Sequence, residues 1–149
     1  TISYWNYTVS SAPANNGFTI GDANDPNKIS AHSPWSDNIL YWDYGNYNNG
    51  QGRLTTNFAS YLGAWTHVVL TYDSATTTRR IYLNGTQVAS SVHSNTPLTA
   101  RTGLSIGSAT YCCGVVNGYI DEFRVSTSTR SADWIATEFN NQNSPSTFY

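Results

Sequence analysis

The sequence predicts an all-β protein, and residues 65–88 give the clearest reasons. Two sets of side chains alternate along residues 66–72: Val68, Leu70 and Tyr72 on one side, and His67, Val69 and Thr71 on the other. Both sides are well covered, as expected for the inner strand of a sandwich. Asn84-Gly85 then separates two apolar runs, and this dipeptide is the strongest signal for a two-residue hairpin.

The same patterns predict ten strands and one helix. The strands are expected near residues 1–9, 17–21, 27–32, 38–43, 53–58, 66–73, 79–84, 87–92, 103–107 and 117–126. The helix is predicted over 131–140, where Ser131 can cap the N-terminus and Asp133 favours its positive end. Three apolar side chains fall on one face of that helix: Trp134, Ile135 and Phe139. Residues 143–149 are interpreted as an exit tail.

Composition limits the functions that need to be considered. The 149 residues predict one domain, and only 11% of them are charged, against about 25% in an average protein. The net charge of −2 and the scattered basic residues argue against a nucleic-acid partner. No apolar run approaches the roughly 20 residues needed for membrane insertion. A neutral, hydroxyl-rich and aromatic surface is typical of secreted or cell-surface β proteins.

Several motifs occur in the order seen in a known family: Trp65-x-His67-Val68, Thr71-Tyr72-Asp73, Ile81-Tyr82-Leu83-Asn84-Gly85 and Gly118-Tyr-Ile-Asp-Glu-Phe-Arg-Val125. The chain resembles the laminin-G-like (LamG) domains of the concanavalin A-like lectin/glucanase superfamily. The resemblance implies a two-sheet antiparallel jelly-roll sandwich with one short C-terminal helix. It also implies that residues 1–149 form one such domain without its first N-terminal strand. A sheet edge left open in this way invites self-assembly with another chain.

The acidic residues do not form the pattern of a glycoside hydrolase. Such enzymes hold two carboxylates about 5 Å apart, or roughly 6.5–9.5 Å apart. Asp121 and Glu122 are adjacent, so they are expected on opposite faces of a strand, while Asp43 and Glu138 are isolated. The Glu-x-Asp-x-x-Glu motif of the superfamily's glucanases is absent. The chain is predicted not to be an enzyme.

Calcium is the one cofactor that the sequence brings into consideration. The resemblance makes Asp121 a candidate ligand, and the loop containing Asp22 and Asp25 offers further oxygens. Asx turns explain the same loop residues without a metal. Without a metal, one of Asp121 and Glu122 is expected to enter the sandwich and the other to pair with Arg80 or Arg124, because a buried carboxylate needs a partner.

Two further features concern covalent chemistry. Cys112 and Cys113 are adjacent, and neighbouring Cα atoms are closer together than the about 4.4–6.8 Å of ordinary disulfides. A strained vicinal disulfide is favoured, with free thiols or bonds to another chain as alternatives. Asn6 and Asn84 begin N-glycosylation sequons, although Asn84 is already explained by its turn.

Aromatic side chains in loops are the best candidates for ligand contacts, because sugar rings stack on them while their hydroxyls bond neighbouring polar groups. The predicted ligand-binding residues are Trp35, Asp37, Tyr44, Tyr47 and Tyr111. Trp35 is equally well explained as a loop anchor. The other tryptophans are interpreted as core or sheet-packing residues: Trp5, Trp42, Trp65 and Trp134.

These observations predict a non-catalytic extracellular recognition module. It would bind a glycan or a cell-surface protein through loops at one end of the sandwich. The alternative is a structural subunit or spacer of an extracellular fibre that assembles by strand addition.

Overall fold

A computed structural model shows a two-layer β-sandwich and describes residues 1–21, 27–46, 52–93, 103–109 and 114–147. In chain order the described strands are β1 (Ile2–Thr8), β2 (Asn16–Ile20), β3 (Ile29–His32), β4 (Ile39–Tyr44), β5 (Arg53–Asn57), β6 (Thr66–Asp73), β7 (Thr78–Leu83), β8 (Thr86–Val92), β9 (Leu104–Ile106), β10 (Ser108–Ala109), β11 (Gly114–Val115) and β12 (Gly118–Val125). The helix α1 (Ala132–Asn143) follows β12, and short 3₁₀ turns lie at Ala59–Tyr61 and Pro145–Thr147.

The strands form two antiparallel five-stranded sheets. Sheet A has the order β12-β1-β6-β7-β8, and sheet B has the order β5-β4-β3-β2-β9. The predicted fold class, a two-sheet antiparallel sandwich with one C-terminal helix, is confirmed. Each of the ten predicted strands is found at or beside its expected position. The two-residue strands β10 and β11, which pair separately, are too short to give a periodic signal.

The main core lies between the sheets, where each strand presents every second residue. Tyr4, Leu40, Trp42, Val68 and Leu70 all face this layer, and none of them is more than 1% exposed. Burying each such side chain contributes about 1.5–3 kcal/mol. The alternation of inward-facing and outward-facing side chains predicted for residues 66–72 is therefore present in the structure.

A second, smaller core lies on the outer face of sheet A. Val69 and Tyr82 contact Ile135 of α1 there, and all three are buried. Ser131 caps the helix as predicted, because its hydroxyl accepts a hydrogen bond of 3.2 Å from the backbone N–H of Trp134. The helix thus covers the middle of this face and leaves the ends of the strands beyond it.

Two tryptophans that were expected to pack inside are exposed. Trp65 is 46% exposed because it precedes the first residue of β6, outside the area that α1 covers. Trp134 is 38% exposed and packs against the guanidinium of Arg130, 4.5 Å from its ring. Trp42 is buried as predicted, and Trp5 is half-buried.

The predicted hairpin between β7 and β8 is confirmed in detail. Its two turn residues, Asn84 and Gly85, have φ values of 50° and 78°. Gly85 also touches the helix, since a Cβ at this position would lie 3.2–3.3 Å from atoms of Ala136 and Phe139. Two separate constraints therefore require glycine at the tip of the hairpin.

A β-bulge in β12 overturns one expectation about the acidic pair. The pairing with β1 shifts between Ser3 and Trp5, and Glu122 adopts a φ of 53° at this point. Because the bulge adds one residue to β12, both Asp121 and Glu122 lie on the exposed side. The prediction that one of them enters the sandwich is wrong.

The position of β1 is also informative. It lies inside sheet A, with β12 on one side and β6 on the other, so both of its edges are hydrogen-bonded. The outer strands of this sheet are β12 and β8, and a bulge interrupts β8 where it pairs with Ile81 and Tyr82.

No helix within the described residues is long and apolar enough to cross a membrane.

Candidate functional site

The outer face of sheet B carries polar and aromatic side chains that cross-strand pairing sets side by side. One row contains Thr19, Ser30, Asp43 and Arg53, and a second contains His32, Tyr41 and Thr55. These positions alternate with core residues such as Ala31 and Trp42, so they point away from the sandwich interior. We call the following set the Tyr41 face: His32, Trp35, Asp37, Tyr41, Asp43 and Arg53.

The tight turn between β3 and β4 brings two predicted ligand residues to this face. The backbone N–H of Trp35 donates to Ile39 at 2.9 Å, and Asn38 turns the chain with a φ of 65°. Asp37 accepts from the N–H of Ile39 at 3.0 Å and from the Tyr41 hydroxyl at 2.6 Å. The exposed carboxylate of Asp37 is therefore held in one orientation before any ligand arrives.

Aromatic contacts connect the turn to the sheet. The His32 ring lies edge-to-face with Trp35, with 4.7 Å between ring centroids, and 6.4 Å from the ring of Tyr41. The guanidinium of Arg53 lies 4.7 Å from the centre of the Tyr41 ring. Trp35 and Tyr41 are each partly exposed. The result is a continuous aromatic strip with charged groups at its margin.

Asp43 and Arg53 form an ion pair on the face. Arg53 Nε lies 2.6 Å from Asp43 Oδ1, and Nη2 lies 2.7 Å from Oδ2. The Asp43 side chain is fully buried, whereas that of Arg53 is 33% exposed. Such a two-point pairing fixes the guanidinium plane and neutralises the buried carboxylate.

The electrostatic state of the face follows from burial and hydrogen bonding. Burial lowers the pKa of His32 to about 4 despite the nearby Asp43 carboxylate, so the imidazole is neutral at neutral pH. Desolvation acts to raise the pKa of Asp37, but the bonds from Tyr41 and Ile39 outweigh it and lower that pKa below its ordinary value. Asp37 is therefore ionised, while the imidazole of His32 on the same face is neutral.

Two buried polar atoms beneath the strip have unused hydrogen-bonding capacity. Ser30 Oγ and His32 Nδ1 have no hydrogen-bond partner within the described part of the chain. Buried atoms of this kind are uncommon, and each costs about 1–3 kcal/mol when it stays unpaired.

The other predicted ligand residues do not join this face. Tyr44 was expected to be exposed, but it shares the inner side of β4 with Trp42 and stacks on Tyr72, with 4.3 Å between ring centroids. The expectation that Tyr44 is exposed is wrong because the strand continues through it, and a ligand role for Tyr44 stays a prediction. Tyr47 and Tyr111 lie outside the described residues.

The predicted calcium site finds little support at Asp121. This residue is exposed, its Oδ1 accepts a hydrogen bond from the N–H of Glu122, and the neighbouring Glu122 is paired with Arg124. The described residues contain no group of three or more acidic, histidine or cysteine side chains that could hold a metal ion. Asp22 and Asp25 lie outside the described residues. Calcium binding stays a prediction.

The sequons differ in accessibility. Asn6 is fully buried and its amide donates to Thr8 Oγ1 at 2.9 Å, which leaves no room for a glycan on the folded domain. Asn84 is partly exposed, although its Oδ1 accepts from the N–H of His67 at 2.9 Å. Cys112 and Cys113, with their predicted vicinal bond, lie outside the described residues.

Sequence reasoning missed four members of the Tyr41 face. The residues not singled out as ligand residues were His32, Tyr41, Asp43 and Arg53. The available signal was strand parity, because His32 and Tyr41 occupy the positions that alternate with the core residues Ala31 and Trp42. Pairing of β4 with β5, which places Arg53 opposite Asp43, cannot be read from local sequence.

Comparison with known proteins agrees with the architecture. A family model described as the concanavalin A-like lectin/glucanases superfamily, of the laminin G type, matches residues 1–136. The chain belongs to this family. No curated protein has significant sequence similarity to the chain.

Solved structures of similar fold include binding modules of larger proteins. The CBM40 module of the Ruminococcus gnavus IT-sialidase, bound to α2,3-sialyllactose, has a TM-score of 0.71 and 16% identity over 91% of this chain and 79% of that one. The leech intramolecular trans-sialidase has a TM-score of 0.70 and 14% identity over 90% of this chain and 22% of that one. The receptor-binding domain of botulinum neurotoxin type G has a TM-score of 0.65 and 14% identity, over 95% and 37%. At these identities the likeness shows the fold.

Proposed function

We propose that this laminin-G-like domain is a non-catalytic glycan-recognition module of a secreted or cell-surface protein, and that the Tyr41 face holds the glycan. The observation that carries the proposal is the aromatic strip of Trp35, His32 and Tyr41, bordered by an oriented carboxylate at Asp37. The similar CBM40 module, which was solved with sialyllactose, supports the same ligand class.

The chemistry of the face suits a sugar ring. The partly exposed rings of Trp35 and Tyr41 offer apolar surface to the C–H groups of a pyranose. Asp37 keeps acceptor capacity for a hydroxyl group, and its position costs no further ordering on binding.

The same face is poorly suited to glycoside hydrolysis. A hydrolase needs one carboxylic acid whose pKa is raised, so that it can protonate the leaving group. Asp37 has a lowered pKa, and both carboxylate oxygens of Asp43 accept hydrogen bonds from Arg53. Binding without bond cleavage is therefore the function that this face supports best.

A glycan array tests the proposal directly. The full chain is applied to arrayed neutral and sialylated glycans, with and without calcium, together with the variants Trp35→Ala and Trp134→Ala. Trp134 is a matched control, because it is also a partly exposed tryptophan but lies on α1, which packs against sheet A. We expect binding that Trp35→Ala reduces at least about tenfold and Trp134→Ala preserves. Absence of any hit in both buffers would refute the proposal.

Self-assembly by strand addition stays the alternative prediction. A strand is added at an open outer strand, and a β-bulge there discourages such pairing. Both outer strands of sheet A contain a bulge, in β12 at Glu122 and in β8. Extended polymers on electron-microscope grids would favour this alternative. A monomer at all concentrations, measured by sedimentation, would count against it.

A further inference from the structure

A second aromatic surface lies on the opposite sheet, at the end that α1 leaves uncovered. We call Tyr7, Trp65 and Tyr119 the Trp65 platform. The ring centroids of Trp65 and Tyr119 are 6.3 Å apart, and each lies within 6.0 Å of the ring of Tyr7. Trp65 is 46% exposed and Tyr119 is 65% exposed. Three touching aromatic rings at the surface form a contiguous apolar patch.

The backbone fixes the position of the platform. Tyr7 and Tyr119 are direct partners in the β1–β12 ladder, and pairing of Asn6 with Thr66 brings Trp65 alongside Tyr7. Gly118, next to Tyr119, allows the strands to approach closely, since a Cβ there would lie 1.8 Å from the carbonyl oxygen of Tyr7. The rings are thus displayed by the sheet itself and not by a loose loop.

A cleft of about 540 Å³ lies beside the platform. Its lining residues are Trp5, Trp65, Asp121, Glu122, Arg124, Asn141, Gln142, Asn143 and Pro145. The indole N–H of Trp5 donates to Gln142 Oε1, which ties the end of α1 to the floor of the cleft. Asn141 and Asn143, near the end of α1, are exposed and also line the cleft. An aromatic floor with amides on its wall suits a hydroxyl-rich ring.

The charges around the cleft select among sugars. Asp121 and Glu122 are both exposed at its edge. The nearby cation, Arg124, is already shared between Glu122 and Glu138, with 2.7 Å from its Nη1 to Glu138 Oε1. The cleft therefore presents carboxylates and amides without an uncommitted cation among its lining residues, so an anionic sugar is disfavoured.

We propose that the Trp65 platform and its cleft form a second binding site, which takes a neutral oligosaccharide. One pyranose ring stacks on the exposed faces of Trp65 and Tyr119. Hydroxyl groups of the neighbouring ring bond the amides of Asn141 and Asn143 and the carboxylate of Asp121. This site lies on the outer face of sheet A, whereas the Tyr41 face lies on sheet B, so it does not depend on the function proposed there.

Titration calorimetry with defined oligosaccharides tests the site. The probes are cellohexaose, chitohexaose and mannohexaose, with 3′-sialyllactose as the anionic contrast. The full chain is compared with Trp65→Ala, Tyr119→Ala, Trp35→Ala and the control Trp134→Ala. Trp65 and Tyr119 are exposed, so thermal unfolding should confirm that both variants fold. We expect one neutral hexaose to bind, with a loss of at least about tenfold in Trp65→Ala and in Tyr119→Ala.

The outcomes separate the two sites. Neutral binding that Trp35→Ala and Trp134→Ala leave intact, and that Trp65→Ala removes, supports the second site whatever happens on the Tyr41 face. Binding that responds only to Trp35→Ala overturns the second site and leaves the Tyr41 face standing. Failure of all three neutral hexaoses to bind overturns it. So does a concentration-dependent dimer that Trp65→Ala abolishes, because the platform would then serve a second copy of the chain.

Discussion

His67 Nε2 lies 3.6 Å from Glu138 Oε2, in the buried contact between sheet A and α1. His67 is only 1% exposed, its ring stacks near Phe139 of the helix, and Glu138 also binds Arg124. Burial, assisted by the positive charge of Arg124, lowers the pKa of His67 to about 4. The imidazole of His67 is therefore neutral where α1 packs on it, and its protonation would destabilise the packing of the helix.

The domain is expected to lose stability as the pH falls from 6.5 to 4. Both His67 and His32 have a folded pKa of about 4, below the unfolded value of 6.5, so the unfolded chain binds more protons in this window. Each histidine contributes roughly 2–3 kcal/mol that is fully present above pH 6.5 and declines below it. Urea denaturation between pH 7 and 4.5 measures the change. His67→Gln should flatten the curve, and a curve that this substitution leaves unchanged would contradict the assigned role of His67.

Replacing Gly85 by alanine is expected to destabilise the domain more than the same change at Gly63. Both residues have positive φ, 78° and 72°, which costs alanine about 1–2 kcal/mol. Only Gly85 has atoms of Ala136 and Phe139 within 3.3 Å of the added Cβ, while Gly63 has nothing within 4 Å. We expect Gly85→Ala to cost about 1–3 kcal/mol more, measured by chemical denaturation. Equal losses would show that the hairpin tip does not press on the helix.

Removing Arg53 is expected to cost more stability than breaking an exposed ion pair. Arg53→Ala leaves the fully buried carboxylate of Asp43 without its cation, and we expect a loss of about 2–3 kcal/mol. The partial exposure of Arg53 keeps this below the cost of breaking a fully buried pair. Glu122→Gln is the matched comparison, because its pair with Arg124 is half exposed on both sides and should contribute about 0–1 kcal/mol. A smaller loss for Arg53→Ala would contradict the assigned pairing.

The hydroxyl of Tyr41 is expected to control the acidity of Asp37. Tyr41→Phe removes the 2.6 Å hydrogen bond that favours the charged carboxylate, so the pKa of Asp37 should rise toward its ordinary value. Carbon-detected NMR titration of the side-chain carboxyl groups measures it. Asp73 is the internal control, since Thr76 and Ala75 lower its pKa in the same way without Tyr41. An unchanged Asp37 would mean that the bond does not form in solution.

Local sequence predicted the strands well, because each strand carries its own alternation. The positions of Val68 and Leu70 predict the inner side of β6, and Asn84-Gly85 predicts the hairpin. Each of these predictions needs only a few neighbouring residues. The short strands β10 and β11 give no such signal. The fold and the helix that Ser131 caps could therefore be predicted from the sequence.

The candidate sites could be predicted only in part from the sequence, because they depend on which residues pair across neighbouring strands. The bulge at Glu122 places both acidic residues on the exposed side, and nothing in the local sequence marks it. Tyr44 looks like a loop residue until the length of β4 is known. Trp65 looks like a core residue until the end of α1 shows that the helix stops short of it. Each of these outcomes requires the pairing of distant segments.

The two sheets of the sandwich turn their outer faces in opposite directions. Trp35 belongs to one of these faces and Trp65 to the other, with the packed core between them. Two ligand chains held on these faces would lie on opposite sides of the domain. A single copy would then act as a cross-linker that gathers separate polysaccharide strands into a network, without any need to form oligomers.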